Sequence, residues 1–153
     1  MDNIKERFRQ YQEAIETSNI VSKTDTNGTI PFVNDEFCKM SGFTREELIG
    51  ANHNIVRHPE VPKEVFARLW DTILAKKVHK GTIRNRTKDG RDVYLNTTII
   101  PILDLSGQIE EFLAIRYDVT DVINLNNELE KTKKELLNLN ENLENRVAEQ
   151  TAK

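Results

Sequence analysis

Four side chains in the middle of the chain carry groups that can contact a ligand: Arg57, His58, Trp70 and Asn85. Trp70 offers a large rigid π face and one N–H donor. The Asn85 amide is both donor and acceptor. Arg57 can form charge-assisted bonds to phosphate, and the His58 imidazole can stack or donate. The same residues also have structural roles open to them. Trp70 belongs to an apolar stripe that suits a core, Arg57 can pair with Glu60, and His58 can hold the turn before Pro59. His53 reads as local structure. No Ser or Cys nucleophile motif, metal-ligand cluster or glycine-rich phosphate loop accompanies them, so a chain that is not an enzyme is expected.

These side chains need elements to position them. Pro62 suits a first helical turn, and Val65, Phe66, Leu69, Trp70, Ile73 and Leu74 then form a stripe along one helix face. Asn85 lies in a β-rich run, Val78 to Arg86, where alternation puts it on one face with Gly81 and Ile83 and puts Arg84 and Arg86 on the other. Beside the apolar Ile83, Asn85 faces inward and needs a partner there, a role a ligand can fill. A second run, Arg91 to Pro101, follows Lys88-Asp89-Gly90, and a third, Gln108 to Asp118, follows the turn ending at Gly107. Upstream, two short β-rich runs, residues 19–24 and 29–33, flank Asp25-Thr26-Asn27-Gly28, whose Asn-Gly pair suits a tight hairpin. Asn34 can cap a short helix through Met40, and Thr44-Arg45-Glu46-Glu47 is a capping-box pattern for another that stops at Gly50. Two strands, several short helices and three strands predict an α+β fold: a five-stranded antiparallel sheet with helices on one face and a cavity between the layers.

The flanks differ from this middle. Residues 2–18 place Ile4, Phe8, Tyr11 and Ile15 at helical spacing, an amphipathic helix in need of a partner surface. All six Gly lie between Gly28 and Gly107, all four Pro between Pro31 and Pro101, and the last aromatic is Tyr117. Beyond it, Val122, Leu129, Leu136 and Leu143 take one heptad position and Leu125, Thr132, Leu139 and Arg146 its partner, the seam of a parallel two-stranded coiled coil. Thr132 and Arg146 weaken that seam. The expected domains are an N-terminal helix over 1–18, a globular domain over 19–120 and a coiled-coil helix over 121–153 leading to an output domain outside this sequence. The charge balance, 22 Lys and Arg against 25 Asp and Glu for a net −3, supplies no basic footprint for nucleic acid or an anionic membrane. With a single cysteine, Cys38, and no long apolar run, a cytoplasmic homodimer is expected.

Asp25-Thr26-Asn27-Gly28, Asn34, the SGFTREELIG run from Ser41 to Gly50, Lys88-Asp89-Gly90 and Asp118-Val119-Thr120 together resemble the PAS sensor family over nearly all of 19–120. That resemblance implies a ligand or redox sensor module with dimerising flanks. Residues 52–70, NHNIVRHPEVPKEVFARLW, are similar to the flavin-binding PAS of bacterial aerotaxis receptors, with Glu60 where that pattern has Asp. The resemblance implies FAD as cofactor, with Asn34, Arg57, His58, Trp70 and Asn85 around it and with Asp118 and Thr120 relaying the signal into the helix. Other PAS domains bind haem through a His on the long helix, which here has none, so His53, His58 or His79 would have to serve. Many PAS domains hold no tight cofactor and act as dimerising relays. Cys38 lies outside any segment resembling the cysteine motif of photosensory LOV domains, so no cysteinyl photoadduct is expected. The tail NLENRVAEQTAK resembles linkers that precede histidine kinase or diguanylate cyclase domains.

Overall fold

The computed structural model describes residues 2–151. Its elements run α1 (Asp2–Ser18), β1 (Ile20–Thr24), β2 (Phe32–Val33), α2 (Asp35–Ser41), α3 (Arg45–Leu48), a 3-10 turn (His53–Val56), α4 (Lys63–Leu74), β3 (His79–Arg86), β4 (Asp92–Leu103), β5 (Ile109–Asp118) and α5 (Thr120–Thr151). The five strands form one antiparallel sheet in the order β2-β1-β5-β4-β3. The expected α+β architecture is therefore present. The chain divides into two compact units between Val119 and Thr120.

Local chemistry accounts for most of the short elements. The Asn34 side chain caps α2, and Gly42, at φ 78°, closes it. Thr44 and Glu47 form the reciprocal capping box that starts α3. One local expectation changes. Only Gly28 of the Asn-Gly pair has positive φ, at 88°, and β2 shrinks to two residues. The reason is a rival ladder: Ile30 N–H donates to Ala51 C=O at 2.9 Å, Gly50 N–H to Ile30 C=O at 2.8 Å, and His53 N–H to Gly28 C=O at 2.9 Å. Pro31, lacking an N–H, then separates that pairing from the two residues left to β1.

The core lies between the sheet and α2–α4. Alternation along the strands sends Ile83, Val93, Leu95, Ile99, Phe112 and Ala114 inward, and α4 meets them with Leu69 and Ile73. The α4 stripe is narrower than expected, because Val65 and Leu74 lie at its edges and are exposed. On the other face, Phe8, Tyr11 and Ile15 of α1 border a shallow apolar groove of about 330 Å³ with Val21, Ile102 and Leu113. In the second unit, α5 is a continuous helix of 32 residues, about 48 Å long at the α-helical rise.

Candidate functional site

A cavity of about 80 Å³ opens between α4, the 3-10 turn and the inner face of β3, β4 and β5. Phe66, Leu69, Trp70 and Ile73 form its helical wall, while Ile83, Asn85, Thr97, Ile99, Phe112, Ala114 and Arg116 form its sheet wall. Trp70 is held between two rings: His53 at 5.1 Å between centroids, tilted by 53°, and Phe112 edge-on at 5.5 Å. Asn85 is buried, and among the described residues its amide makes one long bond, Nδ2 to Ile83 C=O at 3.5 Å. Its acceptor and second donor hydrogen remain available to whatever enters the cavity. Both residues singled out for a ring-shaped ligand thus meet at one site.

Arg57 and His58 lie beside this cavity but do not line it. The main chain of Arg57 pairs antiparallel with Asn85, so the segment runs as a strap along the free edge of β3. The expected Arg57–Glu60 pair does not form. Instead the Arg57 guanidinium lies over the Phe66 ring, 4.0 Å from its centroid, while Glu60 accepts from Arg84 Nη1 at 2.9 Å. The strap is then fastened by charge. Arg84 also grips Asp92 through Nε and Nη2, and His58 Nε2 reaches the other Asp92 oxygen at 2.9 Å. Because Glu60 N–H donates to His58 Nδ1, the ring proton belongs on Nε2, facing Asp92. The Arg84 guanidinium, followed by the His58 contact, holds the Asp92 carboxyl below the usual carboxylate range.

Asn34 also stays outside the cavity. Its Oδ1 accepts from Val21 N–H and Phe37 N–H, each at 3.0 Å, and its Nδ2 donates to Glu16 C=O at 2.8 Å and Asn19 C=O at 2.7 Å. One amide therefore ties α1, β1 and α2 together. Asp118 closes β5 and Thr120 opens α5. Of the three histidines, only His53 lines the cavity.

Two titratable lining residues stand outside the flavin set expected from the sequence: His53, read as local structure or a haem ligand, and Arg116. His53 arrives through the 28–30 with 50–53 ladder, a long-range pairing without a local signal. Arg116 did have one: it follows Phe112 and Ala114 at the inward positions of β5, a lone cation on an apolar face. Burial, then the charges of Arg57 and Arg116, push His53 below the ordinary imidazole range. The unfolded chain therefore takes up this proton first, and stability should fall as pH drops below about 6.5, until His53 protonates in the fold. His79, lowered by burial, shares this window. Urea unfolding at pH 7.5 and 5.5 checks it, and His53→Gln should shrink the difference while leaving the His79 share.

With the geometry established, comparison with known proteins identifies the class. The profile of the PAS fold matches residues 6–119, so the chain belongs to the PAS family, whose members act as sensor domains in signalling proteins. It is 35% identical over 113 residues to the aerotaxis receptor of Escherichia coli K12, covering 74% of this chain and 22% of that one. It is 27% identical over 100 residues to the nitrogen fixation regulatory protein of Klebsiella pneumoniae, covering 65% and 20%. The chain thus spans about a fifth of the length of these relatives. The crystal structure of a PAS domain from Colwellia psychrerythraea shares the fold with a TM-score of 0.68 at 23% identity, covering 74% of this chain and 98% of that one. No helix among the described residues is long and apolar enough to cross a membrane.

Proposed function

We propose that this chain is a redox- or oxygen-linked sensor module that binds FAD between sheet and helices and passes the redox state through a dimeric coiled coil to an output domain. The observation that carries the reading is Trp70 and Asn85 on one cavity, with the Arg57-His58 strap paired to the Asn85 main chain. The likeness to the aerotaxis receptor supports it. The donor set fits a flavin: aromatic and aliphatic walls for the ring, the Asn85 amide for its polar edge, and the Arg116 guanidinium in the wall for negative charge. At about 80 Å³ the cavity is well below the roughly 300–1,000 Å³ of small-molecule sites, so a tricyclic ring enters only as the side chains now filling the space give way.

A bound flavin supplies reversible electron uptake coupled to a change in its hydrogen-bonding edge. Asn85 can answer that change by turning its amide to exchange donor for acceptor. The sheet register offers a route onward. Two residues before Asn85, Ile83 pairs with Leu95, and Leu95 pairs with Asp118 at the end of β5. Thr120 then begins α5, so a small shift of that strand end is transmitted to the helix by chain continuity.

The test is the absorption spectrum of freshly purified, dark-handled protein before and after chemical reduction, with released chromophore identified by mass. The expected result is a bleachable flavin spectrum, with Trp70→Ala and Asn85→Ala each lowering FAD affinity about tenfold or more. Full flavin retention by both variants would remove this cavity as the site. A Soret band in place of flavin would move the search to His53, the histidine in the cavity wall. A colourless dimer that does not take up added FAD would mark a relay without this cofactor.

A further inference from the structure

We propose that Arg116 is the anion-recognising residue of the cavity, taking up negative charge that the ligand brings. The assignment begins with its position. Phe112, Ala114 and Arg116 occupy successive inward places on β5, and all three line the cavity. At Arg116 the sheet passes laterally to Thr97 on β4 and then to Gly81 on β3, whereas Asn85 lies four residues further along β3. Arg116 and Asn85 therefore stand toward different ends of the site, and a ligand can meet both.

Charge accounting supplies the second step. The guanidinium donates to Ser22 Oγ at 2.9 Å and lies over the Phe37 ring, 5.2 Å from its centroid. It forms no salt bridge among the described residues, although a guanidinium carries five N–H donors. The cavity wall contains no Asp or Glu, and its other titratable member, His53, is itself held neutral by burial, Arg57 and Arg116. Burial pushes the Arg116 guanidinium down to about 10, still cationic at neutral pH. A partly buried cation on the wall of a cavity without a counter-charge favours an anionic occupant.

For its choice of anion this inference rests on the flavin reading, in which the negative charge comes either from the pyrophosphate or from the ring after electron uptake. Wild type and Arg116→Gln, stripped of chromophore, are titrated with FAD and with riboflavin, and midpoint potentials are measured on the reloaded proteins. At least a tenfold loss of affinity for FAD, with riboflavin unaffected, assigns Arg116 to the phosphates. Unchanged affinity with a tenfold weaker preference for reduced flavin, about 30 mV for a two-electron couple, assigns it to the ring. Equal affinities and potentials in both proteins overturn the proposal. Arg116→Lys, which keeps the charge, stands in should the Gln variant fail to fold, and retention of wild-type preference by Lys supports the charge role. If wild type takes neither flavin, the flavin reading fails separately, and acetate titrated against chloride at equal ionic strength becomes the probe. A rise in melting temperature with acetate in wild type and not in Arg116→Gln supports the anion site; no rise in wild type overturns it.

Discussion

Asn34→Leu is expected to cost about 3–5 kcal/mol, a large share of the roughly 5–15 kcal/mol that holds a domain folded. The reason is that one buried amide serves four backbone groups on three elements. Its Oδ1 satisfies the N–H groups of Val21 and Phe37, and its Nδ2 satisfies the carbonyls of Glu16 and Asn19. Leucine keeps the branched outline but is bulkier, and its side chain can bond none of them; of the four, Phe37 N–H keeps a partner here, the backbone C=O of residue 34 at 3.2 Å. Each donor stranded in the interior costs about 1–3 kcal/mol, and loss of the α2 cap is part of that sum. Asn34→Asp separates the two halves of the clasp. It keeps an acceptor for Val21 and Phe37 but turns an oxygen toward the Glu16 and Asn19 carbonyls, so α1 should loosen first. Hydrogen exchange checks this: in Asn34→Asp protection should be lost at α1 before the core strands, whereas Asn34→Leu should lower protection throughout. Asn34 does not line the cavity, so on the flavin reading proposed above any drop in FAD uptake by either variant would follow from stability.

The difference between Asn34 and Asn85 shows where sequence reasoning reaches its limit. Both are inward amides in an apolar setting, and both joined one candidate site by resemblance. For Asn34 the capping pattern already told part of the story, because Asp35 and Glu36 follow it in a first helical turn. The bonds to Glu16 and Asn19 depend on where α1 ends in space, which no local pattern encodes. For Asn85, strand alternation alone predicts an inward amide, and the structure leaves that amide nearly unbonded beside the cavity.

Pairings across long chain separations account for most of what the sequence hid. The β3, β4 and β5 meander is readable because Gly90 and Gly107, with φ near 87° and 85°, mark its two turns. The closure of β1 against β5, with Ser22 opposite Ala114, joins residues far apart in the chain, and local propensity says nothing about it. Gly28 illustrates the same limit at one position. Its positive φ was legible as turn chemistry, but a Cβ there would also meet His53 Cδ2 at 3.1 Å, a contact created by the ladder that brings His53 to Trp70. The Glu60, Arg84, Asp92 and His58 cluster is similar: the charges were visible, but their pairing required β3 and β4 to be in register.

Leu136→Asp combined with Leu139→Asp is expected to convert a dimer into a monomer, with association weakened at least a thousandfold. The argument starts from α5 by itself. Val122, Leu125, Leu129, Leu136, Leu139 and Leu143 are all exposed along this helix, and each leucine left in water forgoes about 1.5–3 kcal/mol of burial. A second copy of the helix can cover the stripe at the coiled-coil spacing. The heptad frame also favours a parallel partner. With Val122 and Leu129 at the a position, Glu128 falls at g and Lys133 at e, an opposite-charge pair that closes between parallel, in-register strands. Two aspartates at adjacent seam layers must either be buried as charges or hold the strands apart, and both outcomes oppose association. Thr132 provides the opposite control, because Thr132→Leu fills a weak layer and should tighten the dimer. Sedimentation equilibrium across a hundredfold range of concentration distinguishes these expectations. Wild type that remains monomeric throughout would remove the dimeric relay, while circular dichroism at 222 nm would show whether the exposed helix survives alone. On the flavin reading proposed above, a double Asp variant that is a folded monomer and takes up FAD as wild type does would assign ligand binding to the PAS unit alone.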